Sequence, residues 1–325
     1  MRRLLLSSRS LAVAVAAFLA FGSATAQAQQ KLNIFSGVSP VFAPAFIADV
    51  KGYFKEEKLD VNLRLFTSGG EATEGFRSGG AQFLIAGDVP LLYQLVGGDA
   101  VLLTQFSANA GMMIVVGNKT VSNAAQLKGK KIGLVRKSAA EYLLNNYLQT
   151  AGLKLTDVQL VALAPFDQIP AVVRGDIDAM STWKPFQLKV FGLSKDFKIL
   201  TESGQVGYTL YSGILTKRNL LTPENRPMMM AVMRALKKGS DWLSTNNIDV
   251  VSKTIADYVK STPEDVKDVV KDNRWDLVSD APFRTAMKDI GDFLHAQGFF
   301  DKKIDWDKAV DWSYLRELDP KLVKD

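Results

Sequence analysis

From residue 31 onward, apolar positions recur with two periods, about two residues and about 3.6, which are the signatures of strand and helix. Leu32–Ser36 is a short apolar run that ends at Gly37, and Phe42, Phe46, Ile47 and Val50 then carry helical spacing into Gly52-Tyr53-Phe54. In Val61–Phe66 the apolar Val61, Leu63 and Leu65 alternate with Asn62 and Arg64, which predicts a half-buried strand. Phe83–Ala86, Val101–Phe106 and Met112–Val116 are compact apolar runs suited to buried strands. Lys131–Val135 leads into Tyr142–Ala151, where Leu144, Tyr147, Leu148 and Ala151 fall on one helical face. Val158–Ala162, Ala179–Thr182 and Tyr208–Leu215 add further strands. Strands alternating with helices predict an α/β protein with parallel sheets.

From Thr222 the pattern becomes helical. Thr222-Pro223-Glu224 and Thr262-Pro263-Glu264 both read as helix starts, with a hydroxyl cap, a first-position proline and a first-turn acid. Met229, Val232, Met233 and Leu236 predict a buried stripe, and Phe283–Phe293 a second amphipathic helix. No Gly/Ser- or Pro-rich linker interrupts the chain, so two lobes joined by crossing strands are expected. The expected crossings lie near Met113–Asn118 and Gly207–Ser212, giving a first lobe of residues 31–115 and 213–325 and a second of 116–212. Arg77-Ser78-Gly79-Gly80 and Arg174-Gly175-Asp176 echo one another as helix end, glycine and polar residue before a strand. Glycine can take the left-handed conformation such a helix end requires.

Composition narrows the chemistry. The 325 residues include no Cys and a single His, His295. A disulfide framework, a thiolate nucleophile, thiolate-bound zinc and a two-His metal site within one chain are thereby excluded. Residues 1–28 read as an export signal: Arg2, Arg3 and Arg9 precede the apolar stretch Leu11–Phe21, and Ala26-Gln27-Ala28 fits a cleavage site. That stretch is shorter than the about 20 residues of a bilayer span. A cleaved, soluble, periplasmic product is expected. Removing the signal's three arginines leaves 37 basic against 34 acidic residues, so no nucleic-acid footprint is expected.

In α/β sheets, ligands bind beyond the carboxyl ends of strands, where loops enter helices. Six such loops are rich in polar residues or glycine. They carry Ser36, Val38 and Ser39; Ser68, Gly69, Gly70 and Glu71; Asp88 and Val89; Arg136, Lys137 and Ser138; Phe166 and Asp167; and Trp183 and Lys184. Tyr208, at the second crossing, joins them as a candidate contact. Ser68/Glu71 and Ser138/Glu141 have capping-box spacing, and Asp88 is placed either to cap a helix or to meet a ligand. Arg136 and Lys137 set two cations against the positive end of a helix, which costs free energy unless an anion sits there; both pointing into solvent is the alternative. The stretch 67–71 lacks the Gly-Lys-Ser/Thr ending of a phosphate loop, no GxGxxG follows the first strand, and no cofactor is expected.

These loops, in this order, resemble the nitrate/sulfonate/taurine family of periplasmic substrate-binding proteins of ABC importers. The likeness rests on Gly52-Tyr53-Phe54-Lys55-Glu56-Glu57, Gly79-Gly80-Ala81-Gln82-Phe83, Gly87-Asp88-Val89-Pro90, Leu127-Lys128-Gly129-Lys130-Lys131-Ile132-Gly133, Arg174-Gly175-Asp176-Ile177-Asp178-Ala179 and Trp183-Lys184-Pro185. It implies a type II periplasmic-binding fold of two α/β lobes around a cleft, with a helical C-terminal region. It further implies a monomer that is not an enzyme, binds a small organic anion or zwitterion and delivers it to an ABC permease with its cytoplasmic ATPase. An enzyme on the same bilobed fold, or a ligand sensor for a membrane receptor, is the alternative. On this reading the anion would meet the helix that begins at Ser138, beside Arg136 or Lys137. Asp88 would accept from an amine, and Trp183 and Phe166 would pack on the apolar body.

Overall fold

The computed structural model describes residues 30–66 and 69–324; the expected export signal lies outside them. Eleven strands form two sheets among the described residues. The six-stranded sheet has the order β11-β4-β10-β3-β1-β2, from Gln30–Gly37 (β1), Leu59–Phe66 (β2), Phe83–Gly87 (β3), Ala100–Asn109 (β4), Leu210–Lys217 (β10) and Asn273–Val278 (β11). The five-stranded sheet has the order β7-β6-β8-β5-β9, from Met113–Gly117 (β5), Lys131–Leu134 (β6), Gln159–Ala162 (β7), Ala179–Trp183 (β8) and Lys198–Glu202 (β9).

The sheets are mixed rather than purely parallel. β1 pairs parallel to β3, and β6 pairs parallel to β7 and β8. β10 runs antiparallel to β3 and β4, and β5 antiparallel to β8 and β9. These two reversed strands follow the stretches where the chain passes from one sheet to the other. Ala110–Met112 makes the first passage and Ser203–Thr209 the second. Met113–Val115, expected at the end of the first lobe, pairs in the second sheet, because five consecutive buried residues suit a strand covered by partners on both sides. Leu210–Ser212, expected in the second lobe, pairs with β3 and β4 of the first sheet.

The two passages lie against one another. Ala110 O accepts hydrogen bonds from Gly204 N and, at 2.8 Å, from Ser203 Oγ. A side chain at Gly204 would bring its Cβ to 2.9 Å from Ala110 Cβ, so only glycine permits this approach.

The helices that frame the strand ends are Ala43–Val50 (α1), Tyr53–Glu56 (α2), Gly69–Arg77 (α3), Asp88–Leu95 (α4), Ala139–Gln149 (α5), Pro165–Arg174 (α6) and Phe186–Leu193 (α7). Gly79 and Gly175, the two echoed glycines, both have positive φ, +93° and +83°. The C-terminal part supplies Arg226–Thr245 (α8), Ile248–Val259 (α9), Pro263–Val270 (α10) and Ala281–Ala296 (α11). Met229, Val232, Met233 and Leu236 are fully buried on α8. This helix starts at Arg226 rather than at Thr222, whose hydroxyl accepts from Asn225 N in a preceding turn. Thr262 caps α10 as expected, accepting from Asp265 N. Among the described residues no helix is long and apolar enough to cross a membrane.

Candidate functional site

Three loops of the first sheet converge. A side chain at Gly37 would stand 3.6 Å from Gly69 N, and one at Gly69 would stand 3.4 Å from Pro90 Cγ. The ends of β1, β2 and β3 therefore meet at one mouth. Ser36 is buried there and donates to Gly37 O, while Val38 is exposed. Ser39 Oγ is buried and has no protein partner. Ser107 and Ser212 are cross-strand partners on β4 and β10, so their side chains share a face. Ser107 Oγ donates to Val41 O, two residues beyond Ser39, and Ser212 Oγ is buried without a partner. Gly69, Gly70 and Glu71 form the first turn of α3, and Ser68 lies outside the described residues.

Asp88 is fully buried at the start of α4. Its Oδ1 accepts from Val89 N at 2.7 Å, and its Oδ2 accepts from Tyr208 OH at 2.9 Å and Tyr211 N at 3.4 Å. Burial pushes the carboxyl up to about 7, against the lowering effect of these three donors. No cation is among its partners. Burial also raises the Tyr208 phenol, with the neighbouring Asp88 charge adding to it. Tyr208 meets the Tyr142 ring of α5 edge on, with centroids 4.9 Å apart. Asp88 and Tyr208 thus tie the first helix turn of one sheet to the second passage and, through Tyr142, to a helix of the other sheet. Their polar atoms are spent on the protein, and the Val89 side chain is buried.

On the second sheet, Ser138 caps α5 by accepting from Ala140 N at 3.2 Å. The reciprocal half of the expected box falls one residue earlier: Glu141 accepts from Lys137 N at 2.7 Å. Glu141 is buried and is also bound by Arg136, at 3.0 Å from Nη2 and 3.1 Å from Nε. The carboxylate that offsets two cations at this helix start is the protein's own. Lys137 has φ +58° and lays its ammonium 5.5 Å from the Phe299 ring centre. Thr182, at the end of β8, keeps a buried hydroxyl without a partner.

Lys184 is 2% exposed and is paired inward, 3.0 Å from Glu202 Oε1 and 3.8 Å from Asp272 Oδ2. Its backbone N–H donates to Met112 O of the first passage. Gln187 Nε2 donates to Asp268 Oδ2 at 2.7 Å. Lys184 and Gln187 therefore bridge the second sheet to the segment before β11 of the first. Trp183 is half-buried, whereas Phe166 and Asp167 are exposed in the first turn of α6.

Sequence reasoning passed over Ser107 and Ser212. The available signal was a polar residue inside an otherwise buried strand. A separate open trough of about 1030 Å³, with Phe76, Tyr93, Lys217, Phe299 and Phe300 in its walls, lies at the other end of β3 and β10. Its position opposite the helix-entering loops sets it apart from the convergent mouth.

Residues 39–247 match the NMT1/THI5-like family. The taurine-binding periplasmic protein of Escherichia coli (strain K12) is 34% identical over 206 residues, covering 62% of this chain and 61% of that protein. The chain thus spans under two thirds of that relative. A Bacillus subtilis (strain 168) protein, named provisionally as aliphatic sulfonates-binding, is 26% identical over 89% of both chains. Among solved structures, the alkanesulfonate-binding protein SsuA from Xanthomonas axonopodis pv. citri, bound to MOPS, superposes with a TM-score of 0.73 at 21% identity, covering 89% of this chain and all of that one. The desulfurization enzyme DSZB shares the fold as well, with a TM-score of 0.69 at 14% identity over 89% of this chain and 98% of that one. Two sheets joined by paired passages are the periplasmic-binding-protein architecture, and the chain belongs to the NMT1/THI5-like family.

Proposed function

We propose that the protein is the periplasmic solute-binding component of an ABC importer and holds a small organic anion, sulfonate-like or carboxylate, between two lobes. The lobes are the two sheets with their helices, and the paired passages are the hinge. The observation that carries this reading is the mouth where the β1, β2 and β3 loops converge, with the buried, unpartnered hydroxyl of Ser39 beside it. A hydroxyl without a protein acceptor or donor costs free energy unless something else bonds to it. Neutral donors, chiefly Ser39, Ser36 and the backbone of Gly69 and Gly70 at the start of α3, hold the anion. Ser138, Phe166 and Trp183 meet it from the other lobe. Arg136, Lys184 and Asp88 hold the scaffold, because each is already paired within the protein.

Ligand that touches both lobes favours their closed arrangement, which gives the permease a distinct surface to engage. The protein acts as a monomer in this role and leaves its ligand chemically unchanged. Relatives that bind taurine and alkanesulfonates support the anion class.

Thermal unfolding and calorimetry with organic sulfonates and carboxylates test the reading. Ligand at about 100 times its dissociation constant stabilises by about 2.7 kcal/mol. Micromolar affinity corresponds to about −8 kcal/mol. Conversion of a bound anion to product would replace the transport reading with an enzymatic one.

A further inference from the structure

We propose that the ligand carries an apolar body, a ring or an alkyl chain of several carbons, gripped by an aromatic wall on the second lobe. The inference rests on the small-anion reading above and names the rest of the molecule. Phe166 is 62% exposed, although it stands in the first turn of α6 at a loop that ends a strand. Its ring meets Phe186 edge on with centroids 5.0 Å apart, and Phe186 meets Trp183 edge on at 5.8 Å. Trp183 ends β8 opposite Met113, next to the first passage. The three rings therefore run from the hinge outward to the rim.

Early helix turns ordinarily take polar or acidic residues, which satisfy free N–H groups. Here Phe166 and Phe186 take such positions at the starts of α6 and α7. Rings held edge to face are rigid and offer large apolar area at small entropic cost. Water contact with the Phe166 face is unfavourable, and an apolar ligand body laid on it removes that contact. Val38, exposed on a first-lobe loop, adds a second apolar contact.

The polar groups fit this assignment. Asp88, the carboxylate at the β3 mouth, is fully buried with three protein donors, so it is closed to an amine. Asp167 is exposed in the first turn of α6 and complements that helix end. The head of the ligand is thus anionic, and its remainder is apolar rather than aminated.

Calorimetric titration with methanesulfonate, taurine, hexanesulfonate and benzenesulfonate decides the matter, using the wild type, Phe166→Ala and Phe166→Leu. Hexanesulfonate or benzenesulfonate should bind at least about tenfold more tightly than taurine or methanesulfonate, the scale of a few methylenes in an apolar pocket. Phe166→Ala should remove most of that preference while changing methanesulfonate affinity less than about twofold. Phe166→Leu should restore part of it. Taurine binding more tightly than hexanesulfonate would overturn the inference and leave the anion reading standing. So would an equal effect of Phe166→Ala on all four ligands, or no effect on any. Failure of all four to bind would overturn both.

Discussion

The two walls of the cleft are made from the same element, a strand end turning into a helix, and each carries a buried carboxylate at the helix start. On the first wall Asp88 is held by a phenol and two backbone N–H groups, all neutral. On the second wall Glu141 is held by the Arg136 guanidinium and one backbone N–H. The difference shows in their chemistry. Without a cation, Asp88 is pushed up to about 7 by burial. Each helix start is thereby filled from within, and a ligand anion must take its donors elsewhere. A polar loop marks where a site lies, while the neighbours of each side chain decide which groups remain for a ligand.

The largest expected effect comes from removing Asp88. Asp88→Ala leaves Tyr208 OH and Tyr211 N without acceptors in a dry setting, and should lower stability by about 3 kcal/mol in denaturant unfolding. Glu141→Gln keeps the shape but loses the charge that Arg136 meets. It should cost about 1–2 kcal/mol, because Arg136 is partly exposed and can hydrate. Under this variant a freed Arg136 should also strengthen anion binding, which would shift the polar role toward the second wall.

Lys184 offers a related contrast, since its carboxylate partners, Glu202 and Asp272, are one-third and two-fifths exposed. Lys184→Met should cost only about 1–2 kcal/mol, well below the 3–5 expected for a wholly buried pair. Loss of more than that would mean the bridge between the sheets is worth more than its exposed partners suggest.

A smaller effect is a matter of pH. The folded carboxyl of Asp88 titrates near 7, above the ordinary 3.8. Between about pH 4 and pH 7 the folded protein therefore binds more protons at this site than the unfolded chain. Stability from this group is greatest below the ordinary value and falls as pH rises toward 7. Asp88→Asn should remove that slope, so the difference between wild type and variant should shrink or reverse on going from pH 5 to pH 8. A parallel pair of stability curves would show that the carboxylate is stabilised in its charged form after all.

How much of this was legible in the sequence depended on burial. β3, β5 and β10 are nearly continuous apolar runs and were readable as strands. β9, Lys198–Glu202, and β11, Asn273–Val278, were missed because they are edge strands. One face of each is half-exposed, so their polar and apolar residues follow neither template cleanly. The six loops were placed correctly at strand ends. The cations in them could not be assigned from spacing alone. Glu141 was read as the acid of a capping box, although it binds the residues before the cap. The partners of Lys184 come from β9 and from the segment ahead of β11, and only the folded chain brings them together. Asp88 needed Tyr208, which arrives from the second passage.

The central claim is that neutral donors of the first wall, rather than the cations of the second, hold the anionic head. Titration of hexanesulfonate against Ser39→Ala and against the double variant Arg136→Ala/Lys137→Ala measures this directly. The account predicts at least about tenfold weaker binding for Ser39→Ala, the scale of one hydrogen bond to a charged group, and a change under about threefold for the double variant. Binding that survives Ser39→Ala and collapses in the double variant would contradict it.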